Sequence, residues 1–174
     1  EKVISIDAAD GQVSRLTTEK ATYSVKTVII CTGGKSYPLT GSTGDGYELA
    51  RQAGHTVTEL KPSLVPLVCH EGFCMDLQGL SLRNVEITVM DMDSYKEVYK
   101  DFGEMLFTHF GVSGPMILSA SSHMRNMERG RYAIHIDFKP ALSYEQLDKR
   151  LQRDLLECSN KNLYNTLSLM LPRK

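Results

Sequence analysis

The chain has 174 residues, 41% of them hydrophobic and 24% charged, enough for one sizeable core or two small ones in an ordinary soluble protein. Its 20 Lys and Arg nearly balance 21 Asp and Glu, so it lacks the basic field with which proteins grip nucleic acid or anionic membranes, and neither is expected as a partner. No apolar stretch approaches the ~20 residues of a membrane span, and Glu1-Lys2-Val3 is neither a signal segment nor a methionine start, so the natural beginning is expected to be missing.

Val3-Ile4-Ser5-Ile6 alternates, Asp10-Gly11 signals a hairpin turn, and Val13 to Thr17 alternates again before Glu19-Lys20 turns the chain. This predicts three short antiparallel strands in a meander. Thr27-Val28-Ile29-Ile30-Cys31 is a continuous apolar run ending in Thr32-Gly33-Gly34; a strand covered on both faces needs such a run, and a central parallel strand is expected there. Beyond the loop Lys35 to Thr43, the residues Tyr47, Leu49, Ala50 and Ala53 have helical spacing from Asp45 on, with Ser42 or Thr43 as N-cap and Gly54 as the stop. Strand, glycine loop and helix in that order form a ligand-binding crevice.

Around Lys61-Pro62 the pattern changes to short β-type runs: Leu64 to Val68, Val85 to Met90, Glu97 to Tyr99 and Tyr132 to Phe138. Together they suggest a small barrel or sandwich. Gly114 to Ser122 adds a short helix with Pro115 in its first turn. Ser143 and Gln146 make a capping box, and Leu147, Leu151 and Leu155 recur every fourth residue, which predicts an amphipathic helix. Asn160-Lys161-Asn162 turns the chain into a further helix through Leu163, Leu167 and Met170, stopped at Leu171-Pro172. The expected organisation is α+β: residues 1–60, then a small barrel over 61–141, then a helical subdomain over 142–174.

Gly34-Lys35-Ser36 looks like the end of a phosphate-binding P-loop, but that motif needs a glycine where Ile29 stands, and Pro38 opposes an immediate helix. Gly41-Ser42-Thr43-Gly44-Asp45-Gly46 has its glycines in the wrong order for a dinucleotide fingerprint. It reads either as a tight capped turn or as an anion or cofactor site that uses the free amides of a helix N-terminus. Adjacent Gly33 and Gly34 at a strand end let backbone approach a flat ligand. In Gly103 to Pro115, the polar residues Thr108, His109 and Ser113 are interleaved with glycines and aromatics, either as a packed turn or as a ligand-facing cluster. His55, His70, His123 and His135 show no metal-ligand spacing, and no nucleophile constellation is visible. Cys31, Cys69, Cys74 and Cys158 form no Cys-x-x-Cys pair and sit among core-like residues, as small buried hydrophobes do in a reducing cytoplasm.

Cys31-Thr32-Gly33-Gly34-Lys35-Ser36-Tyr37-Pro38 followed by Thr40 to Tyr47 closely resembles the signature of the BaiN-like (aminoacetone-oxidase-like) NAD(P)/FAD-dependent oxidoreductases. Pro62 to Leu67, Leu77 to Val85, Gly103 to Pro115 and Leu169 to Pro172 resemble that family's later blocks in the same order. The resemblance implies an internal fragment of a flavoprotein: the end of a Rossmann-like FAD domain, then most of an inserted barrel with a helical subdomain. By the same resemblance Thr32, Gly33 and Gly34 lie against FAD. The loop through Tyr37, Gly41, Ser42, Thr43, Gly44, Asp45 and Gly46 shapes the cofactor and substrate crevice. Cys31 replaces the alanine usual before Thr-Gly-Gly, a small-for-small change. The N-terminal Gly-x-Gly-x-x-Gly and the acidic residue for the ribose are not here, so this stretch alone is expected to bind FAD weakly or not at all and to be inactive.

The resemblance implies hydride transfer among NAD(P)H, FAD and a small-molecule substrate, completed by the remaining segments of the full-length chain. Thr108, His109 and Ser113 are the candidates for the substrate side. Rival readings are a non-enzymatic barrel that binds a peptide, protein or nucleic acid, and a flavoprotein that senses redox state.

Overall fold

The structure is a computed structural model that describes residues 1–172. It divides into two compact units, Glu1–Leu60 and Lys61–Lys174. In the first, β1 (Val3–Ala9) and β2 (Gln12–Thr18) form an antiparallel hairpin around Asp10-Gly11, and β3 (Thr22–Ser24) adds to β2, which is the expected meander. Asp10 and Gly11 both have positive φ, 49° and 73°, the two-residue turn whose twist suits a hairpin. At the next turn the buried Thr18 hydroxyl accepts from the N–H of Ala21 at 3.1 Å and of Lys20 at 3.3 Å.

The central parallel strand is a correction. Thr27 to Cys31 forms no strand and pairs with none among the described residues, and Ile29 is 82% exposed. A strand of this kind takes its hydrogen bonds and its cover from neighbours far away in sequence, and an apolar run cannot supply them itself. After a 3-10 turn at Pro38–Thr40 comes α1 (Asp45–Gln52). Its N-cap is Gly44, at φ 88°, and not Ser42 or Thr43; the Thr43 hydroxyl instead donates to the Asp45 carboxylate at 3.0 Å. At the other end the N–H of Gly54 reaches the Arg51 carbonyl and that of His55 the Ala50 carbonyl, a left-handed glycine stop as expected.

The second unit is built on a curled antiparallel half-barrel of five strands in the order β4-β7-β6-β5-β8. The strands are β4 (Leu67–Val68), β5 (Ser81–Asp91), β6 (Lys96–Thr108), β7 (Gly111–Ser113) and β8 (Tyr132–Asp137). β6 runs far past the expected Glu97 to Tyr99, because it pairs along nearly all of β5. Asn84, at φ 55°, is an extra residue in β5: pairing jumps from Arg83 and Glu104 to Val85 and Gly103. That bulge bends the strand and lets Leu82 and Val85 both face the core, after which Ile87 and Val89 alternate inward.

Over this face lies α3 (Pro115–His123), with Ile117 and Ala120 fully buried and Met116 against Gly103. Gly114 enters that helix at φ 101° with the β6 backbone 3.0 Å from where its β-carbon would stand, so only glycine allows the crossing. A one-turn helix, α2 (Phe73–Asp76), adds Cys74 to the core. Beyond the sheet, α4 (Tyr144–Glu157) begins with the expected Ser143–Gln146 capping box, both bonds formed, and α5 (Leu163–Leu167) follows with Asn162 as its cap. In α4 the buried residue is Asp154, held by Arg153 at 3.0 Å and Arg150 at 3.5 Å, while Leu155 remains 42% exposed. The cysteine reading needs one change: Cys74 and Cys158 are buried and Cys69 half-buried, but Cys31 is exposed with its unpaired segment.

Candidate functional site: the glycine crevice

In the first unit the stretch before the 3-10 turn folds back onto the mouth of α1, and glycines make the fit. A β-carbon on Gly46 would overlap the Thr32 hydroxyl and stand 2.9 Å from Ile30; one on Gly33 would stand 3.2 Å from Ser42, and one on Gly44 3.4 Å from Lys35. Thr32, Gly33, Ser42, Gly44 and Gly46, expected near a cofactor from five separate positions, are therefore brought together. Gly34 lies near the Tyr47 hydroxyl, whereas the Tyr37 side chain is 72% exposed and points away from the packing. The Tyr37 carbonyl closes the loop by accepting from the N–H groups of Thr40 and Ser42 and from the Thr40 hydroxyl, at 3.0 to 3.1 Å. Among the described residues, the backbone N–H groups of Thr32, Gly33 and Gly34 make no hydrogen bond.

Thr32, Gly41 and Asp45 share a cleft of about 290 Å³ with Glu1, Lys2, Val3 and Leu49. Its charge is already arranged. Asp45 stands in the first turn of α1, where the helix dipole favours an anion, and its carboxylate takes the Thr43 hydroxyl and the Lys2 ammonium, the latter at 3.2 Å. The Thr43 hydrogen bond first and Lys2 second hold the Asp45 carboxyl below its ordinary range. Lys2 is a site residue that motif reading missed, because nothing local links position 2 to position 45.

These features bear on whether an FAD could be held. Free amides on a glycine pair suit a flat ring system or a carbonyl edge lying close to backbone. The helix mouth, by contrast, already carries a carboxylate, which opposes a second anion such as a pyrophosphate. Gly33 and Gly34 leave the backbone beside Thr32 uncovered by side chains of their own, and Gly33 packs on Ser42 of the Gly41 to Gly46 loop.

In the second unit the Thr108, His109 and Ser113 cluster is a tight hairpin between β6 and β7, with Thr108 opposite Gly111 and Leu106 opposite Ser113. Thr108 and Ser113 therefore share the sheet face opposite the buried Phe107 and Val112. His109 is exposed at the tip, its ring edge-on to Phe110 at 4.8 Å. Motif reading also missed a polar group on β6: the Tyr99 hydroxyl donates to the Asp101 carboxylate at 2.7 Å, and the Tyr99 ring lies 4.8 Å from that of His123 on α3. Burial, and then the carboxylate, push the Tyr99 phenol up. The Tyr-x-Asp spacing on one strand face was a legible signal; His123 was not. Among the described residues no cluster of three or more metal-ligating side chains occurs, and no helix is long and apolar enough to cross a membrane.

A bulged antiparallel half-barrel with one helix on its inner face and a capped helix pair beyond it defines a barrel and helix-two-turn-helix protein. The chain belongs to the HI0933-like family, whose barrel and H2TH domain matches residues 61–174. It is 32% identical over 155 residues to a ribosomal RNA dihydrouridine synthase of Haemophilus influenzae, covering 87% of this chain and 35% of that protein. To the ribosomal RNA dihydrouridine synthase of Escherichia coli it is 31% identical, over 88% of this chain and 36% of that one. A 3-dehydro-bile acid delta(4,6)-reductase of Clostridium scindens is 29% identical, over 84% and 36%. The chain spans about a third of the length of these relatives.

Proposed function

We propose that this chain is the crevice and barrel portion of an FAD-dependent oxidoreductase that moves hydride from NAD(P)H to an activated carbon–carbon double bond. The observation that carries the reading is the glycine crevice, where Thr32, Gly33 and Gly34 offer unpaired amides beside Ser42, Gly44 and Gly46. The same residues carry the resemblance to Rossmann-like flavoproteins. Bound there, FAD would supply two-electron hydride chemistry, which no side chain of this chain can perform. Thr32 would donate or accept at the cofactor edge, the Gly33 and Gly34 amides would polarise it, and the loop from Gly41 to Gly46 would hold it in place. On this reading Ile29 and Ile30 are covered by remaining segments of the same full-length chain.

The double bond follows from the relatives' names. Dihydrouridine is uridine with its ring double bond saturated, and a delta(4,6)-reductase of a 3-dehydro-bile acid saturates double bonds in conjugation with a ketone. Hydride addition to a carbon conjugated with a carbonyl is common to both. A small molecule is the substrate we favour, because the charges of this chain are balanced. The second reading is a uridine of ribosomal RNA; two of the three relatives carry that name, and the rest of the molecule could supply the basic surface. Thr108, His109 and Ser113 are proposed on the substrate side, where the hairpin presents them away from the core. The free thiols accord with a cytoplasmic setting.

The test is the visible spectrum of the purified full-length protein, before and after anaerobic NADH or NADPH. Flavin bands that bleach support the reading, and a colourless protein that ignores added FAD overturns it in favour of a non-enzymatic barrel module. Bleaching without steady-state turnover on enones, uridine or ribosomal RNA would favour a redox-sensing flavoprotein. Mass analysis of ribosomal RNA against a conjugated enone after turnover separates the two substrate classes.

A further inference from the structure

Tyr47, in the first turn of α1, brings a hydroxyl into the glycine crevice. Its N–H donates to the Gly44 carbonyl at 3.0 Å, which fixes where the side chain starts. The ring then runs along two glycines. A β-carbon on Gly44 would stand 3.5 Å from the Tyr47 ring edge and 3.4 Å from the Lys35 stem, and one on Gly34 would stand 3.8 Å from the phenol oxygen. Gly44 therefore seats the ring, Lys35 flanks it, and the oxygen ends beside the Gly33 and Gly34 pair, whose amides make no hydrogen bond among the described residues. Tyr47 is half-buried, yet among the described residues its hydroxyl has no hydrogen-bond partner, unlike those of Tyr23 and Tyr99. The oxygen is also open to a ligand: the fully buried side-chain atoms that lack partners among the described residues are the Nε atoms of Arg131 and Arg150.

We propose that the Tyr47 hydroxyl is a binding donor of the crevice and takes the carbonyl oxygen of a flat conjugated ring lying on Gly33 and Gly34. The inference rests on the oxidoreductase reading above and adds to it one residue and the acceptor that residue meets. A half-buried hydroxyl and two neighbouring amides without acceptors are donors left unpaired, a state that native structures avoid and that a carbonyl ligand removes. The Asp45 carboxylate in the same loop opposes an anion, so a neutral carbonyl is the acceptor that fits. Two such oxygens meet in the proposed reaction: a ring carbonyl of the cofactor and the carbonyl conjugated with the substrate's double bond. Each collects negative charge when its ring accepts hydride, and a fixed donor is worth more to an oxygen as that charge grows. Tyr47 enters the helical spacing of α1 as an apolar position, so periodicity alone hides the hydroxyl.

The experiment compares the full-length protein with Tyr47→Phe, which keeps the ring and removes only the oxygen. Because no described protein group uses that oxygen, the variant stripped of flavin should melt no lower than the unsubstituted protein treated alike. A clear drop would make the hydroxyl structural and overturn the proposal. Flavin absorbance, FAD affinity by fluorescence quenching, and steady-state turnover on cyclohexenone and uridine then locate the acceptor. Shifted flavin bands with FAD bound about tenfold more weakly place the bond on the cofactor. Unshifted bands with kcat lowered ~100-fold place it on the substrate. A variant that matches the unsubstituted protein in spectrum, affinity and turnover overturns the proposal and leaves the flavoprotein reading intact. A protein that takes up no FAD in either form overturns both.

Discussion

Gly46 lies so close to Thr32 that a β-carbon on the glycine would overlap the threonine hydroxyl. The contact joins the stretch after β3 to the first turn of α1 and gives the crevice its shape. Gly46→Ala should therefore push the two apart, lowering stability by about 1–3 kcal/mol, as overpacking generally does. Thermal denaturation measures it. Thr32→Ala in the same background should recover part of the loss, and Ile30, 2.9 Å from the added atom, should keep the rest.

Ile117 is fully buried between α3 and the half-barrel. Ile117→Ala removes buried carbon and leaves a cavity, at a cost of about 2–5 kcal/mol. Chemical denaturation should show the loss with an unchanged slope; a change under 1 kcal/mol would mean that α3 does not pack on the sheet as described.

Asp91 links stability to pH. Burial pushes its carboxyl up, but the Ser94 N–H, the Arg131 guanidinium and the Asp93 N–H outweigh it, so the carboxyl lies below its ordinary value. A carboxyl depressed by folding contributes stability that is complete above its unfolded pKa and is lost as pH falls through the folded one. Melting temperatures should hold at neutral pH and fall in acid, beginning at the ordinary carboxylate range. In Asp91→Asn the acid-dependent part should shrink, with lower stability at neutral pH.

The Ser143 hydroxyl accepts the Gln146 N–H at 3.3 Å, and the Gln146 side chain returns to the Ser143 N–H at 2.9 Å. Ser143→Ala should cost about 1 kcal/mol and fray the start of α4. Hydrogen exchange at Glu145 to Leu147 reads this directly; unchanged exchange there would deny the cap its role.

On the proposed substrate-side placement of the exposed hairpin tip, His109→Ala in the whole protein should raise KM with little change in kcat. Steady-state kinetics on the substrate class that the turnover test selects would check it, and unchanged KM and kcat would remove the hairpin from the substrate side.

What could be read along the chain was local. Asp10-Gly11 made its hairpin, Pro115 opened α3, Gly54 ended α1, and Ser143 with Gln146 capped α4, because each depends on dihedral preferences and hydrogen bonds within about four residues. The fate of Thr27 to Cys31 was not local, since apolar composition fits a central strand while pairing depends on partners elsewhere. Nor could the length of β6 be read, because Gly103 and Glu104 interrupt the apolar pattern between Phe102 and Met105, and only pairing with β5 and β7 carries the strand through them.

The crevice divides the same way. By itself the sequence determined which residue types were available: small Thr32, Gly33, Gly34, Gly44 and Gly46 with little side chain to fill the space. Only the tertiary structure decided that Gly46 meets Thr32, that Lys2 meets Asp45 and that Tyr99 meets His123. The members of each of these three pairs lie too far apart in sequence for local rules. Such contacts form when separate segments are packed into one core, and loop closure, not neighbouring residues, selects them.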